Sequence, residues 1–337
     1  MHVRERLSGL DALRGIAALS VVFYHFTWYY GYKIDTNFIT RISFPLGSYG
    51  VDLFFVISGF VIFMTLERAT TLRSFAISRF ARLYPTFWTA VGVTIIARGL
   101  DGRLTMSPGA VLANLTMVPT LFGAPFVDGV YWTLFYELGF YVLAGSFFAT
   151  GCKQPEFACL GWMLVSILLL GYAPPGLLLL VTSITSFAPL FVTGIMVYRI
   201  SQNPQNLPSY AVLLTAVFCA SWMPAIGVNH ISGATNGAVT AMLAVVVWLG
   251  ARSRLLGSLV FIGEISYSLY LVHSEVGYSL LHLGTKIGLP NDFSVVLALM
   301  TVIAISAVMN RYIGRPTQRW IKNVYARQGT LLLARAT

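Results

Sequence analysis

Apolar runs of about 18 residues or more recur along this chain from end to end, and each is long enough to cross a hydrocarbon core of about 30 Å as a helix. The chain is 57% hydrophobic and only 10% charged. A water-soluble domain carries about 25% charged residues, so this one has too little polar surface to face water. The expected fold class is an all-α integral membrane protein. Residues 1–337 read as one membrane domain, with short polar loops and a C-terminal tail.

Breakers between the runs place ten spans, near 10–30, 49–67, 82–99, 131–150, 157–173, 183–200, 210–225, 236–250, 263–284 and 293–313. Pro174-Pro175, Pro189 and Pro224 blur the ends of the three between 157 and 225, and 105–121 reads as a re-entrant or interfacial segment. The first run follows Arg4 and Arg6, as a signal peptide would. Its end, Phe23 to Tyr30, lacks a small-residue cleavage site, so it reads as a retained helix.

Lys and Arg set the direction. With both termini cytoplasmic, only Lys33, Arg41, Arg98, Arg103 and Lys286 of the 22 basic residues fall outside. The inner side holds the clusters Arg4–Arg14, Arg68–Arg82 and the C-terminal group from Arg311 to Arg335, with Lys153, Arg199, Arg252 and Arg254. That bias also requires an even number of spans. The net charge of +10 is spread between spans rather than along one aromatic-interleaved face, which excludes nucleic acid as the expected partner and leaves membrane lipid. Cys152, Cys159 and Cys219 give no disulfide framework.

An ionisable side chain inside a span costs about 2.5–3.5 kcal/mol on insertion scales, so those present are where chemistry is sought. Four stand out: His25, Glu137, His273 and, at the outer end of the second span, Asp52. Arg14 and His25 fall within about 20° of one helix face and about 16 Å apart along its axis. Ala18 and Val21 lie between them on that face, a small-residue stripe joining an inner cation to an outer imidazole. Ser266, Tyr270 and His273 share a face of the ninth span. Arg79 and Arg82 stand one helical turn apart in the loop after the second span, where paired guanidinium forks suit phosphate oxygens. Each residue also has an ordinary use: lipid-headgroup contact for the arginines, interhelical hydrogen bonding for the histidines and tyrosines, and close helix packing for Ser58 and Gly59.

Five ordered segments resemble the acyltransferase-3 family of membrane O-acyltransferases: Leu10–Gly15 with His25, Gly50–Phe60, Arg79–Pro85, Trp132–Glu137 and Ile265–His273. The resemblance implies a ten-helix membrane domain, in a bacterial inner membrane, using a cytoplasmic acyl-CoA donor, with acetyl-CoA the expected one. The family's essential His matches His25, its partner Arg matches Arg14, its paired arginines match Arg79 and Arg82, and its Trp-Ser/Thr-Leu-x-x-Glu segment matches Trp132 to Glu137. Gly314 stands where the family often has Glu. The chain resembles the stand-alone members, which lack a C-terminal hydrolase-like domain.

The function so implied is acyl transfer to a hydroxyl of a sugar or glycan-like acceptor. Arg14, Arg79 and Arg82 would hold the CoA phosphates, and His25 would take the hydroxyl proton. Glu137 or Asp52 would orient that imidazole, as the carboxylate does in a triad. Trp132, Tyr270 and His273 are candidates for substrate binding. Direct attack and an acyl-histidine relay on His25 both fit. No permanent cofactor and no metal site are expected. The alternative is a proton-coupled transporter or flippase using the same intramembrane His and Glu residues, although no matched pair of broken helices marks two halves.

Overall fold

The computed structural model describes residues 7–151, 154–168, 186–222, 233–253 and 258–334. Arg4, Arg6, Cys152, Lys153, Pro224, Arg254, Arg335 and the Pro174-Pro175 pair lie outside them. All regular structure among the described residues is helical. We number the long helices α1 (Ser8–Tyr24), α2 (Tyr49–Glu67), α3 (Leu72–Leu100), α4 (Trp132–Ala149), α5 (Pro155–Leu168), α6 (Ala188–Gln202), α7 (Leu207–Ala220), α8 (Gly233–Arg252), α9 (Ser258–Lys286), α10 (Asn291–Met309) and α11 (Arg315–Ala334).

Each expected span overlaps one of α1 to α10, while 169–173, 183–185 and 223–225 of the expected spans lie outside the described residues. Among the described residues, three helical stretches are long and apolar enough to cross a membrane: Pro45–Glu67, Gly233–Arg252 and Asn291–Arg327. The segment 105–121 forms a short helix, Pro108–Asn114, and a 3-10 turn, Pro119–Phe122.

One expectation is corrected. The stretch Arg79–Pro85 is not a loop but the interior of α3. A reciprocal capping box between Thr71 and Ser74 starts that helix well before the expected span. Pro85 is tolerated within it at the loss of one backbone hydrogen bond.

Glycine decides how closely the central helices meet. α1 packs most extensively on α9, and a Cβ on Gly15 would lie 2.7 Å from Leu259 O, while one on Gly263 would collide with Asp11 O. α2 and α6 show the same reciprocity: a Cβ on Gly59 would strike Phe191 O, and one on Gly194 would strike Val56 O. Small residues that let backbones touch are how helices associate where no water drives them together. This close approach sets α1, which carries Arg14 and leads directly into His25, against α9, which carries His273.

α1 does not end cleanly. At His25 it widens into a π turn, His25–Tyr29, before one further α turn, Tyr30–Lys33. Such a turn accommodates an extra residue and is often found at functional sites. Phe26 points from it into the hollow above Gly277 of α9. The same widening occurs after α10, at Asn310–Gly314, which leads into the amphipathic α11. A Cβ on Gly314 would lie 3.1 Å from Thr86 Oγ1 of α3.

Candidate functional site

Two histidines far apart in sequence meet at the centre of the structure. His273 Nε2 lies 3.2 Å from His25 Nδ1, and the rings meet edge to face with centroids 4.8 Å apart. His273 Nδ1 is 2.8 Å from Tyr270 O. A carbonyl only accepts, so this nitrogen carries the proton, and in the neutral ring Nε2 is then an acceptor. The donor facing it is His25 Nδ1–H, which also reaches Val21 O at 2.9 Å. The proton positions follow from these partners. They leave His25 Nε2 as the nitrogen with an uncommitted lone pair. His273 is wholly buried, whereas His25 is partly exposed.

On the side expected to be cytoplasmic, and called inner for that reason, lies a cavity of about 680 Å³, with Arg14, Arg68, Arg79, Arg252 and Lys322 in its walls, together with Ser74, Ser78 and Asp11. Arg14 is held by Asp11 at 3.7 Å. Arg79 is only 9% exposed, and its Nε and Nη1 have no hydrogen-bond partner. Its guanidinium lies 5.7 Å from the Phe75 ring and 5.9 Å from the Tyr141 ring. A buried guanidinium with two unused nitrogens is costly unless an anion completes it.

Arg14 also lines a second, narrow space of about 60 Å³, bounded by Ser58, Arg82, Thr133, Glu137, Tyr267 and Tyr270. Glu137 accepts from Tyr141 OH at 2.5 Å and from Ser58 Oγ at 3.4 Å. Tyr270 OH accepts from Thr133 Oγ1 at 2.9 Å and donates to Val130 O at 3.2 Å. The Tyr270 ring is 5.5 Å from that of His273. The larger cavity and this narrow space, or throat, share Arg14 as a wall residue, and Tyr270 of the throat stands beside His273.

The structure therefore brings His25 and His273 together, places Arg14, Arg82, Glu137 and Tyr270 around the throat, and gives Arg14 and Arg79 to the inner cavity. Neither Glu137 nor Asp52 bonds His25. Asp52 sits in the first turn of α2, where a carboxylate suits the helix dipole. Trp132 packs among Phe55, Tyr136 and Phe187. Sequence reasoning missed Tyr141, although it stands one helical turn after Glu137, a spacing that puts the two on one face.

A third group sits at the opposite end of α9. Arg103 pairs with Asp101, bonds Glu275 at 2.9 Å and donates to Ser279 Oγ at 2.8 Å. His282 Nδ1 lies 2.7 Å from Asp101 Oδ1. Asp128 accepts from the Glu275 backbone N–H at 3.1 Å. These bonds fasten the segment after α3 to the helix that carries His273. Burial pushes the Asp101 carboxyl up, but the bonds from Arg103 and His282 outweigh it and hold it below its ordinary value. Among the described residues no group of three or more His, Cys, Asp or Glu side chains is placed to hold a metal ion.

The comparisons with known proteins give this paired imidazole and arginine-lined cavity a family. Residues 7–311 match the profile of the acyltransferase domain, and the chain belongs to the acyltransferase-3 family. It is an acyltransferase moving groups other than amino-acyl groups. It is 30% identical over 297 residues to the exopolysaccharide production protein ExoZ of Rhizobium meliloti (strain 1021), covering 80% of this chain and 90% of that protein. It is 27% identical over 165 residues to nodulation protein 10 of Rhizobium leguminosarum bv. viciae, covering 42% of this chain and 44% of that one. To the peptidoglycan O-acetyltransferase OatA of Listeria monocytogenes it is 31% identical over 103 residues, covering 28% of this chain and 14% of that one. No solved structure matches the chain.

Proposed function

We propose that the chain transfers an acetyl group from cytoplasmic acetyl-CoA to a hydroxyl of a glycan or glycoside acceptor. The reading includes a ten-span membrane domain with both termini in the cytoplasm, as the distribution of Lys and Arg favours. The inner cavity takes the nucleotide of CoA, with Arg14 and Arg79 on its phosphates. The throat beside Arg82 and Glu137 takes the pantetheine arm, and the thioester meets the acceptor at His25. An acceptor from the outer side accords with the names of the polysaccharide-related relatives.

The observation that carries this reading is the direction of the hydrogen bonds through His273 to His25. They leave His25 Nε2 to accept the hydroxyl proton as the alcohol oxygen attacks the thioester carbon. The tetrahedral intermediate then collapses, the C–S bond breaks, and the imidazolium returns the proton to the departing thiolate. The ester and free CoA are the products.

Purified protein in detergent, given radiolabelled acetyl-CoA and candidate glycans, tests the assignment. His25→Ala is expected to lower kcat by about 10²–10⁴-fold, the usual contribution of a positioned acid–base. Wild-type rates from this variant would remove His25 from the chemistry. An acetyl adduct trapped on the His25 peptide would replace direct attack by a covalent relay.

A further inference from the structure

The C-terminal helix α11 lies beyond residues 7–311, the region that matches the family domain, yet it is built into the inner face of the protein. Arg315 at its start pairs with Glu264 of α9. The Tyr325 ring lies 5.5 Å from the Arg73 guanidinium of α3, and Trp320 and Val324 line a cleft with Ile77 and Phe80 of the same helix. Seated this way, α11 brings Lys322 into the wall of the 680 Å³ cavity.

Exposure orders the cations of that cavity. Arg14, its side chain 13% exposed, and Arg79 are deep. Arg68, Arg252 and Lys322 are exposed and lie at the mouth. Arg252 is stacked on Trp248 at 3.8 Å. Coenzyme A has a matching order of charge: a diphosphate next to the pantetheine arm, and a phosphate monoester on the ribose at the far end. A donor with its thioester at His25 leaves that monoester, the most highly charged single group of the molecule, at the mouth.

We propose that Lys322 binds the 3′-phosphate monoester of the acyl-CoA donor, which makes α11 part of the donor site. This rests on the acyl-CoA reading of the cavity. A flexible ammonium is suited to a dianion met as a point charge rather than as a planar fork. Phosphatidic acid in the inner leaflet presents the same phosphate monoester, so the test separates the two sources.

The full-length chain in neutral detergent without added lipid is assayed with acetyl-CoA and with acetyl-dephospho-CoA, which lacks only the 3′-phosphate. Lys322→Ala is expected to raise KM for acetyl-CoA about ten-fold at unchanged kcat, the loss of one charge-assisted bond. It should leave KM for acetyl-dephospho-CoA where it is, and Lys322→Arg should retain most of the affinity for acetyl-CoA. Equal changes with the two donors, or none with either, overturn the proposal. So does an effect that emerges only on adding phosphatidic acid and is the same for both donors, which assigns Lys322 to lipid. If the wild-type chain uses neither donor, the acyl-CoA reading itself falls, and the proposal with it.

Discussion

His25 Nδ1 and His273 Nε2 stand 3.2 Å apart although 248 residues separate them in sequence, and this contact fixes which face of the His25 ring is available for chemistry. On the proposed mechanism His273 acts as a positioning residue for His25. Its replacement by Phe is expected to lower kcat by roughly ten- to hundred-fold, less than loss of His25 itself, with KM for acetyl-CoA unchanged. Steady-state kinetics on both variants checks this. A His273→Phe enzyme with wild-type kcat would show that His25 is held without it.

Arg79 is the test of the inner cavity. Arg79→Gln keeps most of the volume against Phe75 and Tyr141 but removes the charge. Equilibrium binding of acetyl-CoA to the purified protein is expected to weaken by roughly ten- to hundred-fold, in keeping with about 1.5–3 kcal/mol for hydrogen bonds to a charged group. Unchanged affinity together with improved thermal stability would mark Arg79 as a buried charge with no anion to serve.

The Asp101 cluster gives the protein an acid-sensitive fastening. The folded-state carboxyl titrates below its ordinary value, so its contribution to stability is complete above about pH 4 and is lost as pH falls through the depressed value. Asp101→Asn is expected to cost about 1–3 kcal/mol at neutral pH, through loss of the charge-assisted bonds from Arg103 and His282, and to flatten the acid limb of Tm against pH. Thermal unfolding in detergent from pH 3 to pH 7 measures both. Parallel curves for the two proteins would assign the acid limb elsewhere.

Gly263 is expected to tolerate no side chain. Gly263→Val forces α9 away from Asp11 on α1, and the cost is at least the 1–3 kcal/mol typical of overpacking, about that much or more here because backbone is struck. The yield of monodisperse protein on size exclusion should fall, and kcat should fall in the fraction that folds. A well-folded, fully active Gly263→Val protein would show that the spacing of α1 and α9 is not critical.

Much of the fold was legible because the sequence signals for it are local. Apolar runs and their breakers mark the stretches in which α1 to α10 lie, and the eleven-residue spacing of Arg14 and His25 marks one candidate face. The Arg79–Pro85 stretch was misjudged because a proline and two arginines read as a loop, whereas the capping box at Thr71 had already committed the chain to a helix. Within the candidate site, His25 and Glu137 stand out through the cost of burying charge, and Arg14 through its alignment with His25. The pairing of His25 with His273 was not, since nothing local records which of two distant imidazoles will meet. The expectation that a carboxylate orients His25 borrowed the geometry of a triad; here the bond at Nδ1 goes to a second imidazole and a carbonyl, while Glu137 is engaged by Tyr141 and Ser58.

The π turn at His25 has a consequence for how such an enzyme diversifies. One added residue in a turn rotates everything beyond it by about 100° relative to an unbroken α-helix. The angular phase of Trp28 and Tyr32 is therefore set separately from that of Arg14 and His25. Between the two halves of one helix lies a clutch: changes within 26–33 would re-aim the segment beyond His25 while Arg14 and His25, donor contact and base in the proposed mechanism, keep their register.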